Sequence, residues 1–306
     1  MSNTLVRRIT ATRLRSASLT VTAAAALATV GLATAQPASA LTGTIAQQGY
    51  SVNDSTAQKV VQVSCPSGTK AVGGSAVIGG STKVGINTLV PGQDANGNTS
   101  VTVLAREQHG GTTEAWQLIV TAQCAPANRF AGLEYVKTSS VFDSAASHSV
   151  IAACSPGKKL VGLGGLVDSQ GPGQDSIALS AIRPALDLGS VAASASEVPT
   201  GYTGPWRTAA VAVCAAPLAG LTQASTSTPS DTTNTKRATA ACPAGTTVLS
   251  GGFDLGTASG RAEVGNAFLD PDLSSDPSRQ GFETQAHENT ANGGTWRDLS
   301  IAICAT

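Results

Sequence analysis

Three glutamates stand where repeated carboxylate chemistry could be placed. Glu107, Glu197 and Glu288 each close an Ala-x-Glu triplet: Ala105-Arg106-Glu107, Ala195-Ser196-Glu197 and Ala286-His287-Glu288. Paired carboxylates do acid–base work in glycosidases. Three copies related by a threefold rotation would lie apart, so the expectation here is a repeated ligand contact or a solvated hairpin end, not a catalytic pair. No catalytic residue is assigned. The chain has no Gly-x-Ser-x-Gly elbow, no His-Glu-x-x-His and no phosphate loop. No cofactor and no metal are expected. Asp270-Pro-Asp272 with Asp276 could hold calcium, but it lacks a calcium-loop spacing and reads as an ordinary loop.

Six cysteines offer the other chemistry: Cys65, Cys124, Cys154, Cys214, Cys242 and Cys304. CxxC and Cys/His clusters are absent, so zinc is not indicated. An even count in an exported chain reads as three disulfides. The simplest pairing is Cys65–Cys124, Cys154–Cys214 and Cys242–Cys304. The alternative joins neighbours, Cys124–Cys154 and Cys214–Cys242, with Cys65–Cys304 closing a ring. Spacing alone leaves both open.

These residues are organised by a repeat. The three tryptophans, Trp116, Trp206 and Trp296, lie ninety residues apart, each eight residues before a Cys-Ala pair. The other cysteines open Cys65-Pro-Ser-Gly68, Cys154-Ser-Pro-Gly157 and Cys242-Pro-Ala-Gly245, each followed by a Gly-Gly step. Proline recurs at Pro91, Pro184 and Pro271. Asp54, Asp143 and Asp231 recur eleven residues before these cysteines, each followed by Ser or Thr. They read as turn starters whose side chains bond local backbone. The tryptophans read as core anchors. His109, His148 and His287 fall at different repeat positions and form no symmetric site.

The units predicted are residues 41–130, 131–219 and 220–306, about 88 residues each. Alternating apolar runs such as Leu299-Ser-Ile-Ala-Ile303, broken by Gly, Pro, Asn and Asp clusters, predict five or six short strands per unit and no amphipathic helix. The fold class is all-β. Three equal units predict a closed pseudo-threefold body, because closure removes sheet edges. Two blades of about 44 residues per unit would make a β-propeller of about six blades. A β-prism and three small β-sandwiches are the alternatives. A Gly-Gly step inside a strand predicts a bulge or a close backbone approach.

Residues 1–40 carry Arg7, Arg8, Arg13 and Arg15, then an Ala/Thr-rich apolar run and Ala38-Ser39-Ala40. This is the layout of a cleaved signal peptide, by the general or the twin-arginine route. Residues 41–306 then hold fifteen basic against nineteen acidic side chains. That balance argues against nucleic acid. No transmembrane segment is expected after cleavage.

The combination of Cys-Pro-x-Gly, Gly-Gly and Trp-x7-Cys-Ala resembles a repeat of secreted proteins from filamentous soil bacteria and, more distantly, the family of the dispase autolysis-inducing protein. That resemblance implies a propeller-like, disulfide-bearing extracellular scaffold that acts on a metalloprotease by binding. It carries over no functional residue. The function expected is therefore a secreted, monomeric, non-enzymatic binding protein whose partner is an extracellular protein such as a protease. A lectin for carbohydrate or cell wall is the first alternative, since threefold repeats suit multivalent sugars. The shortage of aromatic residues weighs against it. A secreted hydrolase is the second.

Overall fold

The computed structural model describes residues 43–306 except 109, 171–172, 259, 271–279 and 290–293. The predicted signal peptide, His109, Pro271 and the pair Asp272 and Asp276 lie outside the described residues.

Each repeat forms six strands. The first holds β1 (Ile45–Tyr50), β2 (Gln58–Ser64), β3 (Thr69–Gly79), β4 (Val84–Gln93), β5 (Thr99–Glu107) and β6 (Gln117–Pro126). The second holds β7 (Glu134–Ser139), β8 (Ser147–Ala153), β9 (Lys159–Ser169), β10 (Ile177–Pro184), β11 (Ser190–Glu197) and β12 (Trp206–Ala215). The third holds β13 (Thr222–Ser227), β14 (Thr235–Ala241), β15 (Thr247–Asp254), β16 (Ala262–Asp270), β17 (Gly281–Glu288) and β18 (Leu299–Ala305). Strand β2 shows why these segments are strands. Its residues alternate exposed and buried, with Val61 and Val63 inside and Val60 outside, as successive side chains of a strand face opposite ways.

The strands make three antiparallel six-stranded sheets, in the orders β1-β6-β3-β16-β17-β14, β13-β18-β15-β10-β11-β8 and β2-β5-β4-β9-β12-β7. Every sheet is half one repeat and half another. The first repeat joins the second through β4–β9, the second joins the third through β10–β15, and the third returns to the first through β16–β3. The expected propeller of about six blades is thus replaced by three shared sheets. Half a repeat does not close a sheet on itself; it finishes its sheet on a neighbour. Nor does closure of the ring remove the edges. Each sheet still ends on two outer strands, β1 and β14, β13 and β8, β2 and β7.

Within a repeat the two half-sheets face each other as a small sandwich, so the sandwich alternative fits. A disulfide staples each one: Cys65–Cys124, Cys154–Cys214 and Cys242–Cys304, with Cα separations of 5.6, 5.7 and 5.8 Å. The pairing between neighbouring repeats is not formed. The glycine steps do both things a strand glycine can do. Register shifts fall at Val72, Val161 and Leu249, and these three bulged side chains are fully buried together. Beside them a Cβ on Gly162 would lie 1.7 Å from the Val72 carbonyl oxygen, and one on Gly73 2.3 Å from that of Leu249. No side chain fits there.

Among the described residues no helix is long and apolar enough to cross a membrane.

Candidate functional site

In all three sheets the loops that follow odd-numbered strands gather at one end. There each repeat brings together an Asp, a Trp and a Lys or His, to which the first two repeats add a Glu. Asp54, Asp143 and Asp231 form isolated backbone bridges to Trp116, Trp206 and Trp296, which begin the sixth strand or lie just before it. All three tryptophans are fully buried. The Asp side chain accepts from the backbone N–H two residues on, Thr56, Ala145 or Thr233, as a turn starter does.

The sequence reading missed the next member, five residues after each Asp: Lys59, His148 and Lys236. Lys59 Nζ lies 2.6 Å from Asp54 Oδ1 and donates to the carbonyls of Val52, Asp54 and Trp116 at 2.8, 3.0 and 2.7 Å. It also sits 4.5 Å from the Trp116 ring centroid. Lys236 repeats this over Trp296 at 5.0 Å and pairs with Asp231. His148 takes the same place in the second repeat, its ring edge-on to Trp206 at 4.4 Å and its Nε2 3.1 Å from Asp143 Oδ1. The lysine hydrogen bond, then the backbone N–H, holds the carboxyls of Asp54 and Asp231 down at about 2. The signal was present in the fixed five-residue step. It was obscured because two lysines and a histidine share no residue type.

The repeated glutamates complete the constellation. Trp116 Nε1 donates to Glu107 Oε1 at 3.2 Å, and the Thr112 N–H donates to Oε2 at 3.1 Å. Trp206 Nε1 and the Tyr202 N–H do the same for Glu197, both at 3.1 Å. Both carboxylates are committed to their own repeat. Glu107 and Glu197 thus brace the tryptophan and the loop before it, and Glu107 also lines a cleft of about 410 Å3 beside Lys83. In the third repeat the Glu-to-Trp step is one residue shorter, and Trp296 Nε1 has no hydrogen-bond partner among the described residues.

Glu288 lies instead on a cleft of about 520 Å3 between the third and first repeats. Thr82 and Lys83 from the β3–β4 loop, Gln108 after β5, and His287 and Asn289 at the end of β17 share its walls. Backbone bonds fix the walls: Gln108 N–H to Lys83 O at 2.9 Å, Asn289 N–H to Arg261 O at 3.0 Å. Asn289 Nδ2 reaches behind the cleft to the Gly260 carbonyl and to Glu263 Oε1, both at 3.0 Å. Burial pushes Glu263 up to about 7 against that hydrogen bond, and burial pushes His287 down to about 4. Gln108 Nε2, His287 Nε2 and Asn289 Oδ1 are buried with no hydrogen-bond partner among the described residues. Sequence reasoning missed Gln108 and Asn289 entirely. Among the described residues no three His, Cys, Asp or Glu side chains gather as a metal site.

Comparison with known proteins finds no family model that matches this chain, and no curated protein that matches it.

Proposed function

We propose that the protein is a secreted, non-enzymatic binding protein, a disulfide-stabilised scaffold that engages another extracellular protein. A protease is the favoured partner class, through the resemblance carried by the repeat motifs. Three intrachain disulfides fit an oxidising compartment. The ring of shared sheets supports a closed pseudo-threefold prism, which would hold its loops at fixed separations.

The observation that carries this reading is the loop joining the first two strands of each repeat. Val52 is 73% exposed and Val141 68%, and Phe142 and Pro229 are also exposed. Each stands one or two residues before the Asp that pins its loop to a buried tryptophan. Apolar side chains offered to water on pinned loops bind with little ordering cost.

The test is capture by immobilised residues 41–306 from the secreted proteins of the producing organism, with insoluble cell wall and chitin in parallel. The expected result is specific capture of a protease or another protein that is lost in a Val52→Asp, Val141→Asp double variant. Retention on polysaccharide with no protein captured would sink this reading.

A further inference from the structure

We propose that the cleft between the first and third repeats is a single-copy binding site for a neutral, hydroxyl-rich ligand of the saccharide class. This goes beyond the protein-binding reading and does not depend on it.

Hydrogen-bonding chemistry comes first. Gln108 is 6% exposed and His287 9%, and both line the cleft with Asn289; Gln108 Nε2, His287 Nε2 and Asn289 Oδ1 are buried in its wall with no hydrogen-bond partner among the described residues. The amide nitrogen only donates, the amide oxygen only accepts, and a neutral imidazole nitrogen does one or the other. Vicinal hydroxyls, each donor and acceptor at one oxygen, satisfy such a mixed wall.

Charge narrows the class. Lys83 and Glu288 face the same space, one of each sign, so neither an anion nor a cation is favoured. The buried imidazole of His287 is neutral at ordinary pH. Apolar ligands are disfavoured too. Small-molecule sites are mostly lined by aliphatic and aromatic groups. Here the described lining residues carry hydroxyls, amides, charges or no side chain, with His287 the one ring. An apolar ligand would leave those polar groups stranded. The volume, about 520 Å3, lies in the range of roughly 300–1,000 Å3 usual for ligand sites.

The fold itself does not require these residues. The position after the repeated glutamate is Gln108, Val198 and Asn289, and the position before it is Arg106, Ser196 and His287. Between the first and second repeats Arg106 crosses the junction, donating to Gln58 Oε1 at 2.8 Å and to the Gln174 carbonyl at 3.2 Å. Between the second and third, Val198 is buried, with Gly260 of the third repeat against its backbone. Beside Arg106 a cleft of about 250 Å3 remains, whereas the cleft between the third and first repeats is about twice that volume and has three buried polar atoms in its wall with no partner among the described residues.

The experiment is calorimetric titration of residues 41–306 with cellobiose, maltotriose and N,N′-diacetylchitobiose. An acidic disaccharide and a neutral tripeptide serve as competitors. One neutral saccharide is expected to bind, with affinity at least tenfold weaker in Gln108→Leu and in His287→Gln. The Val52→Asp, Val141→Asp variant should bind it unchanged, which separates this site from the protein-binding loops. Should Gln108→Leu fail to fold, Thr82→Val on the exposed rim supplies the same reading. No binding by any of the three saccharides at millimolar concentration would overturn the proposal. So would binding that survives both substitutions, or preferred binding of the acidic sugar or the tripeptide.

Discussion

Gly85 lies against the carboxylate of Glu263 so closely that a Cβ on the glycine would sit 1.8 Å from Oε2. The two residues hold the same place in β4 and β16, each two residues before the position where the strand shifts register. The third equivalent is Ala178 in β10. One large side chain and two small ones share these places, which asymmetry within a symmetric frame permits. Gly85→Ala is expected to cost about 1–3 kcal/mol by overpacking, read as a lowered denaturant midpoint. Adding Glu263→Ala should recover most of it. Equal loss in the single and double variants would show that the contact is not the cause.

Buried carboxylates make stability fall as pH rises. Burial raises Asp298 from its ordinary 3.8 to about 7, against the hydrogen bonds from Thr284, and raises Glu263 from 4.5 to about 7. The folded state binds these protons more tightly than the unfolded one. Stability is therefore full below pH about 4 and is lost as pH climbs to about 7, by roughly 3–4 kcal/mol per group. His287 runs the other way: its pKa falls from 6.5 to about 4, so its penalty appears as pH drops through that window. Asp298→Asn should raise the melting temperature at pH 8 and leave it unchanged at pH 3.5. An unchanged melting temperature at pH 8 would refute the buried, proton-retaining carboxyl.

Lys59 is expected to be structural. Its ammonium serves three backbone carbonyls, and Lys59→Met would remove these charge-assisted bonds at a cost of about 1.5–3 kcal/mol, the carbonyls keeping their bonds from Ser51 Oγ and from the Trp116 and Asp54 N–H groups. Little of that loss comes from the ion pair, because Asp54 is 46% exposed and water screens it. Asp54→Asn should therefore cost well under half as much. His148→Lys, which restores the residue of the other two repeats, should leave the fold intact. Chemical denaturation of the three variants checks all of this.

Each disulfide closes a loop of about sixty residues, with sequence separations of 59, 60 and 62. Chain entropy then predicts about 4 kcal/mol per staple. Cys154→Ala with Cys214→Ala should destabilise by that amount. Peptide mapping without reduction should return the three pairs within repeats and none between them.

The sequence made some of this plain and hid the rest for physical reasons. The Trp-to-Cys spacing exposed the repeat, and the strand alternation exposed the β class, because both are local. The sharing of sheets was hidden, since a repeat length says how long a unit is and not whose strand its fourth strand will meet. Lys59 and His148 were hidden by their different chemistry at one register. The cleft was hidden most deeply. Gln108 and Asn289 become neighbours only where the last repeat returns to the first.

That return has a consequence for how such a molecule can change its length. An open solenoid gains or loses a unit and still leaves every inner unit sandwiched between neighbours. Here removal of the third repeat would orphan two half-sheets at once, the one ending on β3 of the first repeat and the one ending on β10 of the second. Copy number is therefore all-or-nothing. Partial chains should be unable to fold piecemeal, and duplication of a single unit should yield no viable intermediate between one ring size and the next.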